Sequence, residues 1–121
     1  MNITGQNLRK IVKTFGEKHQ LTKFQEELLE LTIAIQDFLE FPDQENAEKM
    51  TEEFADVKVM SLQFPIIIRD EFLLKIDEII ERKVDRILKR IENQEIETDQ
   101  AVDMKIQKMI IALKVGHNGK S

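Results

Sequence analysis

The sequence predicts an all-α fold, and three observations favour that fold class. Only four glycines and two prolines occur among the 121 residues, so few positions suit tight turns. Residues that favour helices, chiefly Leu, Ile, Glu and Lys, are abundant. Apolar residues recur every three or four positions, as they do along amphipathic helices. We therefore expect a bundle of four or five helices in a single domain that spans residues 1–121.

The first two predicted helices are separated by Gly16. The first covers about residues 5–15 and follows Thr4, a residue type that caps helices. The second covers about residues 23–39, with Thr22 and Gln25 spaced as a capping box. Its apolar residues predict a buried stripe, formed by Phe24, Leu28, Leu31, Ile35 and Phe38. Leu29 and Ile33 lie nearly opposite this stripe, which predicts a subunit interface on the second face.

Three further helices follow. The third begins near residue 43 or 46 and is expected to end before Pro65, with Ile66-Ile67-Ile68 as a buried connection. Its expected stripe consists of Ala47, Met50, Phe54, Val57, Ser61 and Phe64. The fourth covers about residues 71–92, with Leu73, Ile76, Ile80, Val84, Ile87 and Ile91 on its apolar face. The fifth covers about residues 99–115; Gly116 should end it, and the last residues should fray.

Composition and charge exclude several classes of function. The net charge of −5 argues against a protein that binds the nucleic-acid backbone. The absence of cysteine excludes disulfides, thiolate zinc sites and cysteine nucleophiles. No apolar run approaches the roughly 20 residues of a membrane span, and the N-terminus lacks the pattern of a signal peptide. We therefore expect a cytoplasmic protein with no nucleic-acid partner and no membrane association.

The acidic residues carry the strongest functional pattern. At about 100° per residue, Glu27 and Glu30 project side by side at the edge of the apolar stripe of the second helix. Glu53 and Asp56 have the same spacing on the third helix. A short connection favours antiparallel packing of these helices, so the two acid pairs can face each other. Four converging carboxylates need a cation, and oxygen ligands suit Mg²⁺, Mn²⁺ or Ca²⁺.

A basic strip borders the apolar face of the fourth helix. Lys83, Arg86 and Arg90 lie within about 60° of one another, where they could bind phosphate oxygens. Lys23 shares the acidic strip and is a further candidate for substrate contact, or for an ion pair with Glu27. Acids that hold a metal, together with cations that bind phosphate, favour metal-assisted hydrolysis of a phosphoanhydride.

These motifs resemble a known family. Two segments resemble the EExxE…ExxD signature of the MazG-like all-α nucleoside triphosphate pyrophosphohydrolases. They are Glu26-Glu27-Leu28-Leu29-Glu30 and, after the 22 residues 31–52, Glu53-Phe54-Ala55-Asp56. Phe15-Gly16-Glu17 and Gln20-Leu21-Thr22-Lys23 resemble the approach to the first motif, and the segment 79–86 resembles the basic helix of that family. The similarity covers about residues 15–91, and the predicted last helix lies outside it.

The resemblance implies a site and a reaction. Glu27, Glu30, Glu53 and Asp56 would ligate Mg²⁺, or Mn²⁺ in its place, and carry catalysis, while Glu26 would support them or bind another metal. Lys83 and Arg86 would contact phosphates, and Arg90 is a further candidate. The reaction would be water attack on a nucleoside triphosphate, giving the monophosphate and pyrophosphate. The family forms homodimers or homotetramers. This chain has no Trp or Tyr, so a ring that stacks on the base must be Phe or His.

Alternative functions remain open from the sequence. A phosphoribosyl-ATP pyrophosphohydrolase shares the fold and the acidic site, and a non-catalytic helical dimer could keep the acids as relics. A di-iron bundle requires Glu-x-x-His pairs, but Gly16 and Lys114 occupy the positions three before His19 and His117. We expect both histidines to be incidental and Glu52 to be solvated. The tail 116–121 lacks the spacing of a phosphate-binding loop.

Overall fold

The computed structural model describes residues 1–118, with side chains described as far as Leu113. The described helices are α1 (Gly5–Phe15), α2 (Glu17–Glu40), α3 (Gln44–Ile67), α4 (Asp70–Glu92) and α5 (Asp99–Asn118). No strand occurs in this part of the chain, so the all-α prediction is confirmed. The chain consists of two compact units, Met1–Ile76 and Asp77–Ser121.

Gly16 separates α1 from α2, as predicted. The Thr4 side chain accepts a hydrogen bond from the Asn7 backbone N–H at 3.1 Å, which confirms the cap of α1. Gly16 adopts a φ of 92°, a conformation that L side chains rarely adopt. The predicted start of α2 was wrong, because the helix begins at Glu17 and the Thr22 hydroxyl donates to the Lys18 carbonyl inside it. Thr22 and Gln25 therefore form no capping box.

The connection between α2 and α3 is short and well capped. The Asp43 carboxylate accepts from the Asn46 backbone N–H at 2.8 Å, and the Asn46 side chain donates to the Phe41 carbonyl at 2.9 Å. The predicted end of α3 before Pro65 was wrong, since the helix continues to Ile67. Pro65 removes one helical donor, and the isoleucines at 66–68 are half-buried.

Within the first unit, α2 packs most extensively against α3, and α1 packs against both. The buried apolar residues are Val12, Ala34, Val57 and Met60. Three buried residues are polar or charged, namely Gln20, Glu27 and Gln63. The seam between α2 and α3 is therefore unusually polar, because long polar side chains are mostly exposed in folded proteins.

This seam corrects the apolar stripe that the sequence predicted for α2. The buried face of α2 contains Gln20, Glu27 and Ala34, spaced by seven residues or two turns. Leu28 and Ile35 of the predicted stripe are 45% and 39% exposed, whereas its other members are half-buried. On α3, Val57 is buried as predicted, but Phe54 is exposed. Glu27 therefore lies on the packed face of α2, whereas Leu28, Leu29, Ile33 and Ile35 are exposed.

Of the predicted apolar face of α4, Leu73 and Ile76 are half-buried, while four residues are exposed, namely Ile80, Val84, Ile87 and Ile91. The Thr98 side chain accepts from the Ala101 N–H at 3.2 Å and caps α5. Gly116 does not end α5, which continues to Asn118, so that prediction was wrong. The rest of the predicted frayed tail, 119–121, lies outside the described residues.

None of the described helices has the length and apolar character needed to cross a membrane.

Candidate metal centre

Antiparallel pairing of α2 and α3 aligns polar residues along the seam. Gln20 is hydrogen-bonded to Gln63, and the Asn46 side chain approaches the Asp37 carbonyl at 3.4 Å. The residue numbers in these two pairs have the same sum, as expected when two helices run past each other in one fixed register. The same register sets Glu27 opposite Asp56 and Glu30 opposite Glu53. Four acids from two motifs therefore meet in the middle of the seam.

The four carboxylates form a compact group. One oxygen of each residue can be chosen so that all four lie within 4.8 Å of one another, for Glu27, Glu30, Glu53 and Asp56. Two oxygens on opposite sides of a Mg²⁺ ion, each bound at about 2.1 Å, are about 4.2 Å apart. The observed spacing is therefore close to that of ligands around one small cation. Glu27 is buried, Glu53 is half-buried and Asp56 is exposed, so the group is open on one side.

Two oxygens of this group lack the partners that buried polar atoms normally have. Glu27 Oε2 and Glu53 Oε2 are buried and form no hydrogen bond with any residue that the structure describes. A buried carboxylate oxygen without a partner is costly, and such atoms usually bind a donor or a metal ion. The two oxygens belong to the two helices that form the seam. This donor set fits a hard divalent cation, which would supply the missing partner to both.

Lys23 lies beside the acids but pairs with only part of them. Its Nζ lies 2.5 Å from Glu26 Oε1 and 3.3 Å from Glu27 Oε1. Hydrogen bonding to Glu26, and then to Glu27, raises the pKa of the Lys23 ammonium above its ordinary value. Lys23 therefore remains a cation and partly balances Glu27 through Oε1. Glu26 is exposed and lies outside the group of four, so the structure places it as a partner of Lys23.

The basic residues predicted to contact phosphate are not part of this group. Lys83, Arg86 and Arg90 lie on the portion of α4 that belongs to the second unit, and all three are exposed. Their contact with phosphates remains a prediction. His19, expected to be incidental, contacts Gln20 through its ring, with Nδ1 2.8 Å from Gln20 Oε1. Its ring also stacks on Phe15 at a centroid distance of 5.4 Å.

A cavity of about 190 Å³ adjoins the acids. Its lining includes Glu30 and Glu53 from the group, and Ile33, Ala34, Asp37 and Lys49 around them. Lys49 was not among the substrate-binding residues predicted from the sequence. Its position four residues before Glu53, one turn along α3, is the signal that could have identified it. Lys49 is a cation near the acids that belongs to the same unit.

The buried glutamines of the seam, Gln20 and Gln63, were also not predicted from the sequence. Gln20 precedes Glu27 by seven residues, and Gln63 follows Asp56 by seven. Two turns of helix separate each glutamine from its acid, so all four lie on the faces that meet. A search for polar residues in phase with the motif acids would have found both.

The sequence matches no protein-family model, and neither the curated proteins nor the solved structures contain a match to it. The resemblance to the MazG-like family therefore rests on the acidic motifs, their separation and the basic helix that follows. The geometry of the acids supports a metal centre independently of that resemblance.

Proposed function

We propose that this protein is a Mg²⁺-dependent nucleotide pyrophosphohydrolase that cleaves nucleoside triphosphates to monophosphates and pyrophosphate. The observation that carries the proposal is the pair of unpartnered buried oxygens, Glu27 Oε2 and Glu53 Oε2, within a group of four carboxylates. Such a group favours binding of a divalent cation. The order and separation of the two motifs, which resemble those of the MazG-like family, favour this reaction among the reactions that such a cation supports.

The chain's own residues would divide the work of hydrolysis. Glu27, Glu30, Glu53 and Asp56 would hold the cation. When bound, a divalent cation would neutralise phosphate charge and lower the pKa of water. The triphosphate would lie in the cavity that Glu30 and Glu53 share with Lys49, whose ammonium offsets phosphate charge. A carboxylate of the Glu27/Glu30 pair would orient the attacking water.

A nucleotide panel with Mg²⁺ tests the proposal. Purified protein is incubated with the common ribo- and deoxyribonucleoside triphosphates and with phosphoribosyl-ATP, and the products are separated and quantified. We expect pyrophosphate and a monophosphate from at least one triphosphate. Inorganic phosphate as the first product would contradict cleavage between the α and β phosphates. Turnover of phosphoribosyl-ATP alone would assign the related activity.

Two variants connect the activity to the acids. Glu30→Gln and Asp56→Asn each remove a ligand charge while keeping the size of the side chain, and we expect both to abolish turnover with an unchanged helical fold. Glu52→Gln is the matched control, because Glu52 is exposed on α3 outside the group of four. Calorimetry with Mn²⁺ separates the enzyme from a non-catalytic protein with relic acids: absence of binding to the unmodified protein would favour the relic.

Homo-oligomerisation forms part of the proposal. Several large apolar side chains of α2 are exposed in the single chain, namely Leu28, Leu29, Ile33, Ile35 and Leu39. Exposed apolar area of this kind is typical of subunit interfaces. We expect a second copy of the chain to cover it, in a homodimer or homotetramer. Analytical ultracentrifugation should show a dimer or larger species, and replacing Leu29 and Ile33 together by glutamate should give a monomer.

A further inference from the structure

The most deeply buried large side chain in the described structure is an amide. Gln63 is 1% exposed, and Gln20, its partner from α2, is 5% exposed. Gln20 Nε2 donates to Gln63 Oε1 at 2.7 Å. Apolar residues are the usual occupants of such positions, because amides lose hydrogen bonds to water when they are buried. The burial of this amide pair therefore indicates a role other than packing.

The hydrogen bonds around the pair have only one consistent direction. Gln63 Nε2 donates to the Val59 carbonyl at 3.2 Å, which leaves Gln63 Oε1 to accept from Gln20 Nε2. Gln20 Oε1 must then accept from His19 Nδ1, so that nitrogen carries a proton. Each hydrogen bond in this series fixes the donor and acceptor of the next one. The two amides are therefore held in one orientation, and they hold α2 and α3 at one point.

That point is in phase with the acids. Seven residues, or about 10.5 Å along a helix, separate Gln20 from Glu27 on α2 and Gln63 from Asp56 on α3. If α2 slipped along α3 by one turn, about 5.4 Å, the amides would lose their hydrogen bond while buried. The same slip would move Glu27 and Glu30 past Glu53 and Asp56. An apolar pair would oppose such a slip much less, because apolar contacts have no direction.

We infer that Gln20 and Gln63 are positioning residues for the metal centre. Their hydrogen bond fixes the register of α2 against α3 and thereby the spacing of the four carboxylates. The inference concerns cation binding, and its role in catalysis rests on the function proposed above. Polar residues that set the register of packed helices are a known use of buried hydrogen-bonding groups. Residues that orient metal ligands typically affect metal affinity by tenfold or more.

The test is a double replacement, Gln20→Met with Gln63→Met, in the full chain. Methionine is unbranched and similar in length, so the seam stays filled without the hydrogen bond. We expect the double variant to fold with a thermal stability at or above that of the unmodified protein. Its Mn²⁺ dissociation constant, measured by calorimetry, should rise about tenfold. A purely structural role would change stability and leave the Mn²⁺ affinity of the folded protein unchanged.

Controls keep the outcomes distinct. Gln63→Met alone leaves Gln20 Nε2 buried without its acceptor, so this variant should lose both stability and Mn²⁺ affinity. Adding Gln20→Met should restore stability but not Mn²⁺ affinity. Val12→Ala changes buried apolar packing in the same unit, on α1, and should leave Mn²⁺ affinity unchanged. Affinity at the unmodified level in the double variant would overturn the inference, as would absence of Mn²⁺ binding by the unmodified protein. Binding without nucleotide hydrolysis would overturn the proposed function alone.

Discussion

Replacing Glu27 by glutamine should stabilise the protein in the absence of metal. Glu27 is 7% exposed, its Oε2 is unpartnered among the described residues, and three other carboxylates lie close to it. Two like charges 4.8 Å apart, the largest separation in the group, repel by about 3.5 kcal/mol at an effective dielectric constant of 20. Lys23 offsets part of this repulsion. We therefore expect Glu27→Gln to raise the free energy of unfolding by roughly 1–3 kcal/mol, the cost of an unpaired buried polar group.

The same variant should lose the stabilisation that a divalent cation gives. A ligand at 100 times its dissociation constant stabilises the state that binds it by about 2.7 kcal/mol. In a unit the size of Met1–Ile76, each kcal/mol moves the melting temperature by about 4–8 °C. Saturating Mn²⁺ should therefore raise the melting temperature of the unmodified protein by about 10 °C or more. We expect almost no shift in the variant, which lacks a ligand from inside the seam.

Thermal unfolding followed by circular dichroism measures both effects, with chelator or Mn²⁺ at one fixed protein concentration. Glu52→Gln is the control and should melt like the unmodified protein under both conditions, because Glu52 is exposed and outside the group. A lower melting temperature for Glu27→Gln in chelator would refute the proposed strain in the metal-free site. A Mn²⁺-induced shift equal to that of the unmodified protein would refute the assignment of Glu27 as a ligand.

Three further replacements test neighbouring features. Lys23→Gln should tighten Mn²⁺ binding several-fold in calorimetry, because Lys23 holds Glu27 Oε1 at 3.3 Å and competes with a cation there; weaker binding would contradict this. Gly16→Ala should lower the free energy of unfolding in urea by about 1–3 kcal/mol, since a φ of 92° strains an L residue although the space is open. Asp43→Ala should cost about 1 kcal/mol in the same experiment by removing the cap of α3, and Asp43→Asn, which can still cap, should not.

The sequence was sufficient to predict the convergence of the acids. Their i, i+3 spacing put each pair on one helical face, and the short link of Phe41, Pro42 and Asp43 made antiparallel packing the simplest arrangement. The structure brings the same four side chains together. The geometry of the group supports a cation site, which calorimetry with Mn²⁺ tests. Residue spacing predicted which acids share a helical face, because the angle between successive residues of a helix depends little on the surroundings.

The face of α2 that packs was harder to predict. Periodicity identified an apolar stripe with Leu28 and Ile35 and placed it in the core, yet the seam is formed by Gln20, Glu27 and Ala34. Hydrophobic periodicity shows which residues avoid water, but it does not show whether the same chain or another one covers them. The seam contains the four carboxylates, which occupy positions on the packed faces that apolar residues would otherwise fill. The start of α2 was missed for a local reason, because Gly16 rather than Thr22 precedes the first turn.

The polar seam has a consequence for assembly. All four acids belong to one chain, so the proposed metal site needs no second copy. The exposed apolar residues of α2, in contrast, are the surface that a second copy would cover. Metal binding and oligomerisation should therefore respond differently to dilution. We expect Mn²⁺ affinity to stay constant even when dilution dissociates the oligomer, whereas the melting temperature should fall as the protein concentration is lowered. Loss of Mn²⁺ affinity in step with dissociation would contradict a site held by the α2–α3 register alone, because it would require a second chain to complete or align the ligands.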